Sequence, residues 1–282
     1  MIQEGEYCGF ELRFEDPGIA LVRFNEPDRL NGMTSMFKRD LVEAIAQFQM
    51  EDSVRVVVFT GSGRAFSAGD DISGHAVESE SKLVPPIFRG HHNHIGTYDG
   101  LRWLSQPLNL AIRNLDKLTI AAINGVAIQT GFSLALASDF RLAAESARMG
   151  SATLRFGLLP DEGGQFLLVQ LLGVAGAMDF LMRKRIVSAQ EALALGLVHS
   201  VHADEDLMEH TLELARELAS GPQVAMRLLK RSIYNAAEMN FVHALDEIAA
   251  KTPIGDHHPD SREGIAAFRE KRQPKFNAWL EE

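Results

Sequence analysis

The run Val54-Arg-Val-Val-Val-Phe-Thr60 is rich in β-branched residues and mostly apolar. It alternates no polar face, so it reads as a buried strand, and the chain around it must build a domain that covers it. The neighbouring signals fit an alternation of strands and helices. Gly18 to Phe24 is strand-like, and Met36 to Phe48 carries apolar residues at helical spacing. A second cycle runs from strand-like Leu118 to Ile123, through the Asn124-Gly125 turn, to the small-residue segment Gly131 to Ser138, with short strands expected at Phe140 to Ala143 and Arg148 to Gly150. From about Leu207 the pattern turns purely helical, over Leu207 to Leu218, Val224 to Met239 and Phe241 to Lys251. We therefore expect an α/β core over 1–203 and a helical region over 204–282. Residues 74–100 break the rhythm: they are polar, carry His75, His91, His92 and His94, and include Pro85-Pro86, which predicts a loosely helical or mobile flap. There is no tandem repeat of fixed period, although repeated strand–strand–helix turns are compatible with a spiral.

A chain of 282 residues with 46% apolar content can bury one large core. The formal charge of −10 argues against a nucleic-acid surface. It leaves room for an anionic ligand, which needs only a few arginines or lysines and some main-chain donors. The single cysteine, Cys8, excludes an intramolecular disulfide and a thiol-rich metal site, and suits a reducing, cytoplasmic setting. No stretch approaches roughly 18 uninterrupted apolar residues, and the first residues lack the features of a signal peptide, so a soluble protein away from membranes is expected.

Two glycine-bearing segments stand out. Arg64-Ala-Phe-Ser-Ala-Gly-Asp-Asp-Ile72 follows the buried strand, and Gly69 lets the N–H groups after it turn toward a cleft. Asn124-Gly-Val-Ala-Ile-Gln-Thr-Gly-Phe-Ser133 opens a helix, whose first N–H groups lack internal partners. Facing each other, two such donor sites form an oxyanion hole; apart, they are plain connections.

The order G-x-G-x-A-F-S-A-G-x-D-I, A-x-N-G-x-A, S-D-F-R-L-A, F-G-L-L-P and A-x-E-A-L-x-L-G-L-V, running through nearly the whole chain, resembles the crotonase (enoyl-CoA hydratase/isomerase) superfamily. The resemblance implies a spiral of ββα units with a C-terminal helical trimerisation region, assembling as a homotrimer or homohexamer, and an acyl-CoA substrate. Coenzyme A is then part of the substrate, with no separate cofactor and no metal. It also implies oxyanion donors at the main-chain N–H groups of Asp70 and Thr130. The family's coenzyme A segment matches Asn25-Glu-Pro-Asp-Arg-Leu-Asn31, which puts Arg29 and Leu30 near the coenzyme, along with Ala68, Asp71 and Ile72, and Arg64 as a further phosphate contact.

The chain departs from the hydratase pattern. The positions of the two hydratase glutamates fall on Ser133 and Thr153, neither of which can act as a carboxylate base. General acid–base assistance is worth about 10² to 10⁴ in rate, so ordinary hydration should nearly vanish. Asp161, in Leu158-Leu-Pro-Asp-Glu-Gly-Gly164, matches the position of the catalytic aspartate of dienoyl-CoA isomerases and the nucleophilic aspartate of chlorobenzoyl-CoA dehalogenase. It is the candidate acid and base for double-bond isomerisation. Otherwise it caps the helix predicted over Gln165 to Leu172. Glu162 is a secondary rival for the base and reads first as a first-turn acid complementing the helix dipole. Two other readings keep the same hole: a hydrolase, dehalogenase or C–C bond enzyme using Asp161, and a non-catalytic binder or assembly partner. Ser133 lacks a base partner and is read as pocket lining, not as a nucleophile. The flap histidines offer no defined zinc ligand set and read as surface residues, although the resemblance to the dehalogenase implies that one of them can assist in the acyl pocket. Gly61-Ser-Gly-Arg-Ala-Phe66 lacks the third glycine of a dinucleotide fingerprint.

Overall fold

A computed structural model describes residues 2–71, 83 and 93–280. The chain opens with β1 (Gly5–Glu6), β2 (Phe10–Glu15) and β3 (Ile19–Phe24), then α1 (Ser35–Met50), β4 (Val56–Gly61) and β5 (Ala65–Ser67). Helix α2 (His94–Gly100) leads through a π-helical turn at Leu101–Ser105 into α3 (Gln106–Asn114). Next come β6 (Leu118–Ile123), β7 (Val126–Ile128) and α4 (Thr130–Ala137), and then β8 (Phe140–Ala144), β9 (Arg148–Gly150) and α5 (Gly164–Met182). After β10 (Ile186–Ser188), α6 (Ala189–Ala194) and β11 (Ser200–His202), the chain ends in α7 (Leu207–Ala219), α8 (Gln223–Ala236), α9 (Phe241–Asp256) and α10 (Pro259–Glu270).

The strands form a seven-stranded sheet ordered β1-β2-β3-β4-β6-β8-β11 and a four-stranded sheet ordered β10-β9-β7-β5. Each repeating unit gives its first strand to the large sheet (β4, β6, β8) and its second to the small one (β5, β7, β9), and these strands pair in parallel. A strand pair that splits between two sheets and then crosses over by a helix generates the spiral.

The large sheet is apolar on both faces because its strands alternate between two cores. In β3, β4 and β6, Ala20, Val22, Phe24, Val57, Phe59, Ala121 and Ile123 point into the larger cluster with α1 and α4. Ile19, Leu21, Val56, Val58, Ile120 and Ala122 point the other way, where Leu207, Ala215 and Ala219 of α7 cover them. The helical stretch after residue 204 is thus not one appendage in its packing: α7 is part of the core, and α8 to α10 extend beyond it. Phe24 stands edge-on to Phe37 and Phe66 at 5.3 and 5.2 Å, tying α1 and β5 to the sheet from two sides.

Helix α8 is fastened by buried polar contacts. Lys230 Nζ donates to Asp139 (2.7 Å) and to the Lys117 carbonyl (2.8 Å), and the Tyr234 hydroxyl donates to Asp139. Burial first, then the Asp139 carboxylate, pushes that phenol up, beyond reach of ordinary pH. Helix α5 has the length and mean hydropathy (1.6) of a membrane span. Gly173, at φ 67° and ψ 171°, breaks it in two, and Leu167, Leu168, Ala177 and Phe180 bury one side of it in the core. Most of the stretch read as a flap, including His75, His91 and His92, lies outside the described residues; His94 opens α2 behind an Asn93 cap.

Candidate active site

Strands β5 and β7 are parallel neighbours in the small sheet, so their C-terminal ends lie side by side. One end runs into Ala68-Gly69-Asp70 and the other into Gln129-Thr130 and α4. Gly69 has φ +92°, and a Cβ there would sit 2.9 Å from the Ile128 carbonyl oxygen and 3.4 Å from the Thr130 nitrogen, so the two turns touch at that point. Gly131 is pressed as closely, since its Cβ would come within 2.4 Å of the Ser67 carbonyl oxygen. Met33 pairs with this edge by donating to the Gly69 carbonyl (2.8 Å) and accepting from Asp71 N–H (3.2 Å). Main-chain groups alternate along an extended segment, so the Asp70 N–H faces the opposite side. Thr130 is fully buried at the first position of α4, where its N–H has no intrahelical acceptor.

The side chains of these turns form a continuous polar chain. Lys38, 3% exposed on α1, reaches both Asp70 oxygens at 2.7 and 2.8 Å and donates to Ser105 Oγ at 2.8 Å. Thr130 Oγ1 lies 2.5 Å from Asp70 Oδ1 and 2.8 Å from Glu162 Oε1. Gln129 Nε2 donates to Glu162 Oε2 at 2.8 Å, and Ser151 Oγ donates to Gln129 Oε1 at 3.0 Å. Glu162 is 4% exposed. Burial, followed by the charges of Asp70 and Asp161, pushes its carboxyl up to about 7, against the pull of Thr130 and Lys38. Gln129 sits at φ 50°, ψ −112°, an arrangement unusual for a side-chain-bearing residue, and is held there by these contacts and by its N–H on the Gly150 carbonyl (3.1 Å).

Asp161 and Glu162 face different ways. The Asp161 carbonyl accepts from Gln106 Nε2 (3.1 Å) and the Glu162 carbonyl from Asn109 Nδ2 (2.8 Å), which pins their turn to α3. The Asp161 carboxylate accepts no hydrogen bond and forms no ion pair among the described residues, and it lines a cleft of about 610 Å³ with Arg102, Gln106, Phe166 and Tyr234. The helix beyond starts at Gly164 with Gly163 as its cap and no capping side chain, so Asp161 is not spent on capping. Nor does Glu162 complement the dipole of α5, as its side chain is turned inward onto the first residues of α4.

A model of the family described as enoyl-CoA hydratase/isomerase matches residues 15–278. The chain belongs to the enoyl-CoA hydratase/isomerase family. It is 33% identical over 268 residues to 1,2-epoxyphenylacetyl-CoA isomerase of Escherichia coli, covering 95% of this chain and 98% of that protein. It is 32% identical over 268 residues to a probable enoyl-CoA hydratase of Rhodobacter capsulatus, covering 94% and 97%. The crystal structure of an enoyl-CoA hydratase from Bacillus anthracis superposes with a TM-score of 0.86 at 30% identity, over 95% of this chain and 98% of that one. The spiral is therefore the crotonase fold.

Within this enoyl-CoA hydratase/isomerase family chain, Ser133 lies buried in α4 with its Oγ against Gly164, and Thr153 opens a short turn with its hydroxyl 3.3 Å from Ser151 Oγ. Asn31, fully buried, accepts from Glu26 N–H (2.8 Å) and donates to the carbonyls of Ser62 (3.0 Å) and Ala65 (2.7 Å), which brings the 25–31 turn against β5. There the Leu30 carbonyl accepts from Ala68 N–H (2.9 Å), and Arg29 pairs with Asp71 (2.8 Å) and Glu26 (3.0 Å). Arg64 is exposed and its guanidinium has no partner among the described residues, while Ile72 lies outside them.

Lys38, Gln129, Ser151 and the inward turn of Glu162 escaped the sequence reading. Lys38 left a signal: it falls at helical spacing with Leu41 and Ile45, a charge on the buried stripe of α1.

Proposed function

We propose that this protein is an acyl-CoA isomerase: it removes a proton beside the thioester carbonyl, holds the resulting enolate oxygen on the main-chain N–H groups of Asp70 and Thr130, and returns the proton elsewhere on the acyl chain through Asp161. The observation that carries this reading is a carboxylate without a partner among the described residues, Asp161, lining a cleft next to Glu162, whose side chain is bonded to Thr130. In the forward step the C–H electron pair moves toward the carbonyl oxygen while Asp161 takes the proton; in the return step the dienolate collapses and Asp161 gives the proton back at a more distant carbon, shifting the double bond. Two N–H donors aimed at the developing oxyanion supply several kcal/mol, since loss of one such donor costs about 10² to 10³ in turnover. Ser133 and Thr153 in place of the hydratase carboxylates favour proton transfer over addition of water. The E. coli relative, named as an isomerase of a CoA thioester, points the same way.

For the coenzyme portion, the touching main chains of Leu30 and Ala68 and the neighbouring Asp71 form one wall, the exposed Arg64 offers a guanidinium group to phosphates, and Arg29 would do so by exchanging its Glu26 or Asp71 partner for one. Apolar side chains left exposed on α9 and α10, among them Phe241, Val242, Leu245 and Phe268, support a homotrimer or homohexamer.

The test is solvent-deuterium exchange into a panel of saturated and unsaturated acyl-CoAs. Exchange at the α-carbon and double-bond migration are expected, both reduced about 10²- to 10⁴-fold by Asp161→Asn with thioester affinity retained. Tight binding without exchange of any substrate overturns the reading.

A further inference from the structure

Thr130 Oγ1 carries one proton yet stands within hydrogen-bonding distance of two carboxyl groups, Asp70 at 2.5 Å and Glu162 at 2.8 Å. It can donate to only one of them. The other contact is favourable only when that carboxyl group donates to the hydroxyl, so the triad holds a second proton. Asp70 is the ionised member, because Lys38 Nζ reaches both its oxygens and its side chain is 40% exposed. Glu162 has no cation bonded to it among the described residues and is almost fully buried, so the proton sits on Glu162. The directions then close without conflict: Lys38 donates to Asp70, Thr130 donates to Asp70, Glu162 Oε1–H donates to Thr130, and Gln129 donates to Glu162 Oε2.

We infer that Glu162 is a positioning residue of the oxyanion turn, holding Gln129 and Thr130 with its two oxygens while it is a neutral acid, and releasing them when it ionises. This rests on the proposed role of the Thr130 N–H. Both Glu162 oxygens are occupied, so it acts through its neighbours, whereas Asp161 faces the cleft. The clamp has strain to work against: a non-glycine residue in the conformation of Gln129 costs of the order of 1–3 kcal/mol and persists only where its surroundings hold it. Ionisation leaves one hydroxyl proton between two anions, turning one of the short O···O contacts repulsive and loosening the turn that aims Thr130 N–H.

Among the described residues, the titratable groups around Glu162 are Lys38 on α1, Asp70 after β5, Asp161 beside it, Arg102 and Arg113 on the π-turn and α3, and Arg231, Tyr234 and Glu238 on and just after α8. Helix α4 contributes only the uncharged Thr130 and Ser133 to this side. The Asp70 and Asp161 charges favour the neutral acid, and Lys38 opposes it without touching it.

Two measurements test the inference. Infrared pH titration of the whole protein should show a protonated carboxyl C=O band that disappears as the pH rises and is missing in Glu162→Gln. In α-proton exchange, Glu162→Ala should lower kcat at least tenfold with little change in KM. Glu162→Gln, which donates to Thr130 and accepts from Gln129 as the neutral acid does, should restore kcat and abolish its alkaline fall. The inference is overturned if the band is absent from the wild type, if Glu162→Gln keeps the alkaline fall, or if Glu162→Ala is as active as the wild type. A wild type that shows the band but exchanges no α-proton overturns the enolate reading and still supports the protonated chain.

Discussion

Replacing Glu162 by glutamine should change the protein's stability by an amount that depends on pH. Glu162 ionises at 4.5 in an unfolded chain and at about 7 in the folded one, burial being the main cause. A carboxyl whose folded pKa is raised stabilises the fold fully below 4.5, and that contribution is lost as the pH climbs through about 7. At ~1.4 kcal/mol per pH unit, the interval amounts to about 3 kcal/mol. Glutamine has the shape and hydrogen-bonding pattern of the neutral acid and cannot ionise, so it escapes this loss. Titrating groups that do not interact with Glu162 are common to both proteins and cancel in the difference. Relative to wild type, Glu162→Gln should therefore gain about 3 kcal/mol between roughly pH 4.5 and pH 8.5, a relative rise in Tm of about 5 °C for a chain of this size. Paired thermal unfolding scans at several pH values and one protein concentration measure it. A Tm difference that stays constant across this range refutes the reasoning, because Glu162 would then ionise alike in both states.

Two further substitutions probe the same region. Gly69→Ala places a Cβ 2.9 Å from the Ile128 carbonyl at φ +92°; it should cost about 1–3 kcal/mol in thermal unfolding and, by moving the Asp70 N–H, lower kcat/KM about 100-fold in the exchange assay. Lys38→Met removes the cation from Asp70; because that carboxylate is 40% exposed, solvent absorbs part of the loss, leaving about 1–2 kcal/mol in urea unfolding together with a fall in turnover.

Much of the architecture could be read in advance because it depends on local periodicity. The apolar run at Val54 to Thr60 became β4, Leu118 to Ile123 became β6, and the helical spacing after Leu207 became α7 to α9. A residue alternation of two, or a spacing of 3.6, states which face of an element must be covered. It does not state what covers it. Nothing in the spacing of α7 distinguishes a helix that shields Val56 and Val58 from one that stands outside the core, like α9.

The site divides in the same way. The glycine-bearing segments around Asp70 and Thr130 are visible as turns, since glycine is needed where a side chain would collide. That these turns adjoin follows from β5 and β7 being parallel neighbours, a pairing across about sixty residues of sequence. Asp161 and Glu162 are adjacent carboxylates that sequence reasoning ranked by position alone. Their turn is pinned to α3 by Gln106 and Asn109, and that anchoring sends one side chain into the cleft and the other inward to Gln129 and Thr130. Residue identity and spacing determined which groups this protein has for chemistry. The direction in which each one faces, and so which carboxyl keeps its proton, was decided by contacts between segments far apart in the chain, because burial and neighbouring charge exist only once those segments meet.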